Sequence, residues 1–226
     1  MLEAKLPTHD EVLDFGSAHN PLVWRKHREF LTDPSKLDAV LTACRATPGK
    51  LSRRQVFALA DASREEGVIA AIVWGFPRGS MPGGKWLGFA EAFGKPDAFG
   101  EALRGLKANP SAATPAIVGL NSLVPGLGFA TTTKMAYFAR VTFQEGPALV
   151  FDANVIKAIA DPGGAWARLF PKTRALLGPR PTHAHGVLSY GSFIEEASAL
   201  AARHDTAADV IEVALFRSAA RPGTWS

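Results

Sequence analysis

Val124-Pro125-Gly126-Leu127-Gly128 is the stretch on which the predicted fold depends. Two glycines separated by one residue, preceded by a proline and followed by a helical pattern, predict a tight turn between two helices. Such a turn leaves the first amides of the second helix without intrahelical partners, at the positive end of the helix dipole. The stretch therefore predicts a corner between two helices whose backbone can bind a phosphate group.

The composition is that of an ordinary globular protein, with 47% apolar and 20% charged residues in a chain of 226. The net charge of +4 fits a polyanionic partner without requiring one. A single cysteine, Cys44, excludes a disulfide framework and any zinc or iron–sulfur site built from four cysteines. Neither a signal peptide nor a window as long as a membrane span is found, so we expect a cytoplasmic protein with no membrane partner.

Helical periodicity runs through almost the whole chain and predicts an all-α fold of roughly ten helices with no convincing sheet. Ser52 and Gln55 form a capping box at one helix start. Thr114 as the cap, with Pro115 as the first helical residue, predicts the start of the helix that enters the hairpin. The run from Val68 to Trp74 is apolar on every side and predicts a buried helix, with a strand as the alternative.

From Leu120 to Ile156 the order of features resembles the helix-hairpin-helix DNA glycosylase superfamily. That pattern has a Leu-Pro-Gly-Val-Gly hairpin, a threonine three residues past the second glycine, and an aspartate about twenty residues further on. Thr131 and Asp152 stand at those positions here, and Phe151-Asp152-Ala153-Asn154-Val155 resembles the Leu-Asp-Gly-Asn-Val of adenine glycosylases. The run from Gly128 to Phe138 is similar to a bacterial branch that has the 8-oxoguanine DNA glycosylase fold.

The chain departs from the superfamily pattern at its lysine. Bifunctional members carry a nucleophilic lysine two residues past the second glycine, where this chain has Ala130. Lys134 follows one helical turn later on the same face, roughly 6 Å further along, and the gap from Gly128 to Asp152 is also about one turn longer than usual. One inserted turn would explain both differences. In the alternative, Lys134 binds phosphate or lies in solvent, and the enzyme is monofunctional.

The resemblance implies base excision, in which the bond from the base to C1′ breaks while the sugar develops positive charge. Asp152 is the candidate carboxylate beside C1′, where it would stabilise that charge and orient or deprotonate the attacking water. A helix N-terminus favours its ionised form and holds its side chain in place. The alternative is that Asp152 only caps a helix.

If Lys134 is the nucleophile, it must attack as a neutral amine, which burial in an apolar pocket would favour. The iminium formed would make strand cleavage possible. Three aromatic residues near it in sequence are candidates for this pocket, although the core is the simpler interpretation of all three: Phe129, Tyr137 and Phe138.

The resemblance further implies that the target base is turned out of the duplex into a pocket with an aromatic wall, while an inserted side chain fills the gap. Trp74 and Phe76 are candidates for the wall, although Trp74 is also a candidate for the core. Arg78 or Met81 could fill the gap, because both lie in a loop rich in glycine and proline that follows Trp74. An ordinary surface connection is the simpler interpretation of that loop.

The remaining expectations concern partners and cofactors. Contacts to double-stranded DNA are expected at Val124, Gly126, Gly128, Ala130 and Thr131. A segment rich in arginine and histidine, with no acid between residues 165 and 186, could follow the DNA backbone. The resemblance implies a monovalent cation held by the hairpin carbonyls and no iron–sulfur cluster. We expect a monomer in the bacterial cytosol.

For the architecture, the resemblance implies two helical lobes with a cleft between them. Residues 51–146 would form the lobe carrying the hairpin, and residues 1–50 with 147–226 would form the other. Two further interpretations remain open from the sequence. One is a DNA-binding module without catalysis, and the other is an all-helical protein unrelated to DNA in which the hairpin is a chance match.

Overall fold

The computed structural model describes residues 6–46, 49–79 and 87–219, and these residues form a helical protein. Helices account for 69% of the described residues, which confirms the predicted all-α class. The described α-helices are α1 His9–Leu13, α2 Pro21–Arg25, α3 Pro34–Ala46, α4 Arg53–Ala62, α5 Arg64–Gly75, α6 Leu87–Phe93, α7 Pro96–Ala108, α8 Ala113–Ser122, α9 Phe129–Phe138, α10 Ala153–Ala160, α11 Pro171–Leu177, α12 His183–Arg203 and α13 Ala208–Ala219. Short 3-10 helices cover Lys26–Phe30 and Ala165–Arg168.

Two short antiparallel strand pairs accompany the helices and were not predicted. Strand β1 (Gly16–Ala18) pairs with β2 (Lys50–Ser52), and β3 (Thr142–Phe143) pairs with β4 (Gly146–Pro147). A Cβ on Gly16 would lie 2.1 Å from the carbonyl oxygen of Leu51, so glycine permits the close approach of β1 to β2. Strands of two or three residues are too short to show an alternating pattern in the sequence.

Helix α5 lies at the centre of the first half of the protein. All its residues from Gly67 to Trp74 are buried, which confirms the buried helix expected there. It packs against α3, α4, α7 and α9, so every face meets another helix and none needs to be polar. Its position matters for the site because α9 is the helix that begins at the hairpin.

Helix starts were predicted with mixed success. The capping box of Ser52 and Gln55 is present at the start of α4. The predicted start at Thr114 and Pro115 is wrong, because α8 begins at Ala113. Glu145, distant in sequence, accepts the amide of Ala113 at 2.9 Å and thereby replaces a local cap. The Thr114 hydroxyl instead donates to the carbonyl of Val187, at 3.4 Å.

The second half of the protein is built around the long helix α12, which packs against α8, α11 and α13, while α13 also packs against α10. Within the described residues, no helix combines the length and apolarity needed to cross a membrane. The division into a lobe of residues 51–146 and a lobe formed by both chain ends stays a prediction.

A polar network crosses the core and joins α4, α9 and α13. The Arg53 guanidinium is fully buried, and it donates to Glu212 Oε2 at 2.6 Å and to the Tyr137 hydroxyl at 3.0 Å. That hydroxyl donates in turn to Asp209 Oδ2 at 2.9 Å. Burial raises the pKa of the Glu212 carboxyl to about 7, although the Arg53 guanidinium opposes the shift. The network therefore fixes the position of α9 relative to α13 through charged groups excluded from water.

Candidate active site

The hairpin joins α8 to α9 and presents its backbone to the outside. Gly126 and Gly128 both have left-handed backbone conformations, with φ of 88° and 87°. A Cβ on either glycine would meet no atom within 4 Å, so glycine is required here by the backbone conformation and not by packing. The side chains of Val124 and Leu127 are fully buried, whereas Gly126 is exposed. The turn is thus anchored from inside by two apolar side chains.

The start of α9 has no side-chain cap, because its N-cap residue is Gly128. The amides of Thr131 and Thr132 both donate to the Gly128 carbonyl, at 3.0 and 3.4 Å. The preceding amides, those of Phe129 and Ala130, have no carbonyl one turn earlier in the helix. The hydroxyl of Thr131 is buried and donates to the Leu127 carbonyl at 3.0 Å, so it stabilises the turn from inside.

Lys134 is buried inside the protein, with 6% of its side chain exposed. Its Nζ lies 3.4 Å from the Ala130 carbonyl and 3.6 Å from Asp152 Oδ2. Helical side chains point back toward the N-terminus, which explains why the amine of Lys134 reaches the turn that contains Ala130. The solvated lysine considered from the sequence is therefore excluded.

Asp152 is the N-cap of α10, and its two carboxylate oxygens face different partners. Oδ1 accepts the amides of Asn154 and Val155, at 3.0 and 3.3 Å. Oδ2 faces the Lys134 amine, and 16% of the side chain is exposed. The capping interpretation therefore holds, and the cap leaves the other oxygen facing the lysine. The catalytic role of Asp152 stays a prediction.

A groove of about 790 Å³ lies between the start of α9, helix α10 and the start of α12, and neither Lys134 nor Asp152 is among the residues that line it. Ala130 and Ala153 line it, and they neighbour the two ends of the Lys134–Asp152 contact. The Phe129 ring forms part of the wall and packs edge-on against His183, with centroids 5.0 Å apart. A Cβ on Gly186 would lie 2.6 Å from Phe129 Cζ, so glycine in α12 leaves the space that this ring occupies. Sequence reasoning missed the groove because its walls come from distant segments.

The aromatic candidates divide between core and groove. Trp74, Tyr137 and Phe138 are buried, and the Trp74 ring packs edge-on against Phe138 with centroids 5.3 Å apart. Of the aromatic residues proposed for the base pocket, Phe129 is the one that lines the groove. Phe76 is half-buried directly after α5.

The two candidates for the inserted side chain have different positions. Arg78 is exposed in the loop that follows α5, whereas Met81 lies outside the described residues. The roles of both residues, and of the aromatic wall, stay predictions.

The basic segment contributes to a second groove of about 560 Å³, which Arg168 and Arg174 line and which shares Ala160 with the first. Lys172 is instead paired with Glu195, at 2.9 Å. Among the described residues, no group of three or more His, Cys, Asp or Glu side chains is placed to hold a metal ion.

The amino-acid sequence matches one family of known proteins. A family model described as "Putative 8-oxoguanine DNA glycosylase OGG-like protein" matches residues 11–216. No curated protein sequence and no solved structure gives a significant match. The matched range includes the hairpin, Lys134 and Asp152. It extends the resemblance from residues Leu120 to Ile156 to nearly the whole chain. Membership of the bacterial branch stays a prediction. The chain belongs to this family of OGG-like proteins, described as related to 8-oxoguanine DNA glycosylase.

Proposed function

We propose that this protein is a DNA glycosylase that turns a damaged or modified base out of double-stranded DNA and removes it, with an oxidised purine as the first substrate to test. One observation carries the proposal: Lys134, in the helix that begins at the hairpin, forms an ion pair with Asp152 in which Nζ and Oδ2 are 3.6 Å apart. The OGG-like family match supports the same reaction class.

Asp152 would act on the sugar. The two amides that hold Oδ1 keep the carboxylate in one orientation, so Oδ2 is available to face C1′ without further rearrangement. As the base departs with the bonding electron pair, the negative charge of Asp152 would stabilise the positive charge on the sugar. In the hydrolytic route the same oxygen accepts a proton from the water that attacks C1′, and the departing base is protonated from solvent.

Lys134 would act in the lyase route. Its proton first passes to Asp152, which leaves a neutral amine. The amine nitrogen then forms a bond to C1′ while the bond to the base breaks, and the base takes up the proton that Asp152 received. The bound nitrogen passes one proton to O4′ as the sugar ring opens, which gives an iminium ion. Loss of a proton from C2′ then allows the 3′ phosphate to leave. The short distance from Nζ to Oδ2 supports this transfer, because proton donor and acceptor are already neighbours.

Lys134→Ala is expected to abolish covalent trapping of the protein on lesion-containing DNA by borohydride, because the reagent reduces only an iminium formed by an amine. Lys107→Ala is the control, since Lys107 is an exposed lysine of α7 that lines neither groove. On a denaturing gel, this control should give as much trapped protein–DNA complex as the unaltered protein. A trapped complex that survives Lys134→Ala would remove this lysine from the covalent step and leave a monofunctional enzyme.

The DNA strand would be gripped at the hairpin and continue along the two grooves. The uncapped start of α9 offers backbone amides to a phosphate, with the positive end of the helix dipole behind them. Arg168 and Arg174 lie further along the path, where their charge complements the phosphate backbone. Double-stranded DNA is accordingly the partner that we propose, bound by a monomer.

Gly126→Ala is expected to weaken DNA binding by about 5- to 30-fold, because a left-handed conformation costs other residues about 1–2 kcal/mol. Gly119→Ala is the control, since Gly119 is an exposed glycine of α8 with open space around its Cβ position. Fluorescence anisotropy of a labelled duplex at several salt concentrations measures both variants. Equal affinities of the two variants would argue against a role for the hairpin in gripping the strand.

The chemistry of the hairpin also fits a monovalent cation. The Leu123 carbonyl accepts the Lys95 amine at 3.4 Å, so this oxygen is not available to an ion. The carbonyls of Val124 and Leu127 each accept one hydrogen bond, from the Leu127 amide and the Thr131 hydroxyl, and each oxygen has a second lone pair. These two carbonyls would hold such an ion, which would add positive charge beside a bound phosphate.

A further inference from the structure

Gly75 is the last residue of α5, and it lies against the side chain of Lys134. A Cβ on Gly75 would be 2.9 Å from Lys134 Cδ and 3.2 Å from Cε. Ordinary contacts between carbon atoms begin at about 3.5 Å, so the space that a side chain would fill is already taken by the lysine stem.

The backbone at this position does not itself require glycine. The described glycines with left-handed conformations lie elsewhere, and Gly75 is not one of them. Glycine is therefore needed at this position to leave room for the Lys134 side chain, which passes between α5 and α9.

The opposite end of the same side chain is fixed by two contacts, to the Ala130 carbonyl and to Asp152. The Lys134 stem thus runs along the backbone of Gly75 and delivers its amine to the carboxylate. We propose that Gly75 is a positioning residue, which acts through Lys134 by keeping this path open. The catalytic part of this inference rests on the proposed glycosylase function, whereas the placement of the amine does not.

Gly75→Ala should displace the amine with little effect on the fold. The clash involves the far part of a flexible side chain, which can retreat by the 0.5–1 Å or so that a normal contact needs. A displacement of about 1 Å at reacting groups reduces rates by about 10²-fold. We therefore expect the rate of borohydride trapping to fall about 10²-fold, with DNA affinity and melting temperature nearly unchanged.

Gly105→Ala is the matched control, because it makes the same change within a helix at a position where a Cβ meets nothing within 4 Å. The first measurement uses no DNA. In protein labelled with ¹³Cε-lysine, the Lys134 resonance is assigned by its loss in Lys134→Ala. We expect a changed chemical shift of this resonance in Gly75→Ala and no change in Gly105→Ala. An unchanged Lys134 resonance in Gly75→Ala, or equal changes in both variants, would overturn the inference.

The second measurement compares trapping and base release for the two glycine variants, alone and combined with Lys134→Ala. If Gly75 acts through the lysine, Gly75→Ala causes no further loss of base release in the Lys134→Ala background. A further loss, or trapping at the normal rate in Gly75→Ala itself, contradicts the positioning role. If the unaltered protein releases no base while the resonance still responds to Gly75→Ala, the proposed function fails and the placement of Lys134 by Gly75 stands.

Discussion

Asp152→Asn should reduce base release by about 10²–10⁴-fold, the range typical for loss of a general base or of a charge that stabilises the transition state. The change keeps the helix cap, because asparagine caps helices as well as aspartate does, but it leaves the buried Lys134 amine without its charge partner. The free energy of unfolding is therefore measured alongside activity. The asparagine side-chain oxygen can still accept the amides of Asn154 and Val155, so α10 keeps its start. What is lost is the negative charge that faces Lys134 and, in the proposal, the sugar.

Single-turnover assays on a lesion-containing duplex would measure base release, and anisotropy would measure DNA affinity, which we expect to change little. Asp33→Asn is the control, because Asp33 is an exposed aspartate whose side chain accepts the Ser35 amide at the start of α3, outside both grooves. It should retain full activity. Loss of activity in both variants to the same degree would show that the loss comes from replacing a helix-capping aspartate and not from the charge of Asp152.

Arg53→Met should lower the free energy of unfolding by about 3–5 kcal/mol, the cost expected when one partner of a buried ion pair is removed. Glu212 would be left buried without the guanidinium that lies 2.6 Å from it. The neighbouring Arg54→Met is the control, because Arg54 pairs with Asp10 and Asp14 on the surface. Exposed pairs contribute about 0–1 kcal/mol. Urea titration of both variants distinguishes these expectations.

The same substitution should make stability depend more strongly on pH. Burial raises the pKa of the Glu212 carboxyl from 4.5 to about 7 even with Arg53 present, and removal of the guanidinium would raise it further. A carboxyl whose pKa is higher in the folded state favours folding below the unfolded value, and that contribution is lost as pH rises through the folded value. The deficit of Arg53→Met should therefore be larger at pH 8 than at pH 5. An equal loss of stability at the two pH values would mean that the buried charge of Glu212 is not the cause of the destabilisation.

The sequence predicted those features that depend on local chemistry. A left-handed backbone at Gly126 and Gly128 follows from the residue types, and the hairpin with α9 behind it follows from that. The N-cap role of Asp152 is equally local. The buried α5 was predicted because a helix that is apolar on every side must be enclosed.

Features that depend on distant partners were not predictable in this way. Glu145 caps α8 from another segment, so the local signal at Thr114 and Pro115 misplaced the helix start. Arg53 lies at the start of α4, where a charged residue normally meets solvent, and its burial becomes clear only with Glu212 from α13 beside it. The position of Lys134 was ambiguous for the same reason, since α9 is enclosed by elements that its own sequence does not specify.

The most direct test of the account is to incubate the protein with a panel of duplexes, each containing one oxidised, deaminated or alkylated base, and to measure free base released by mass spectrometry. The unaltered protein should release base from at least one lesion, an oxidised purine first among them, and Asp152→Asn should bind that same duplex without releasing base. Tight, salt-sensitive DNA binding with no release from any lesion would contradict the account and identify a binding module that uses the hairpin alone.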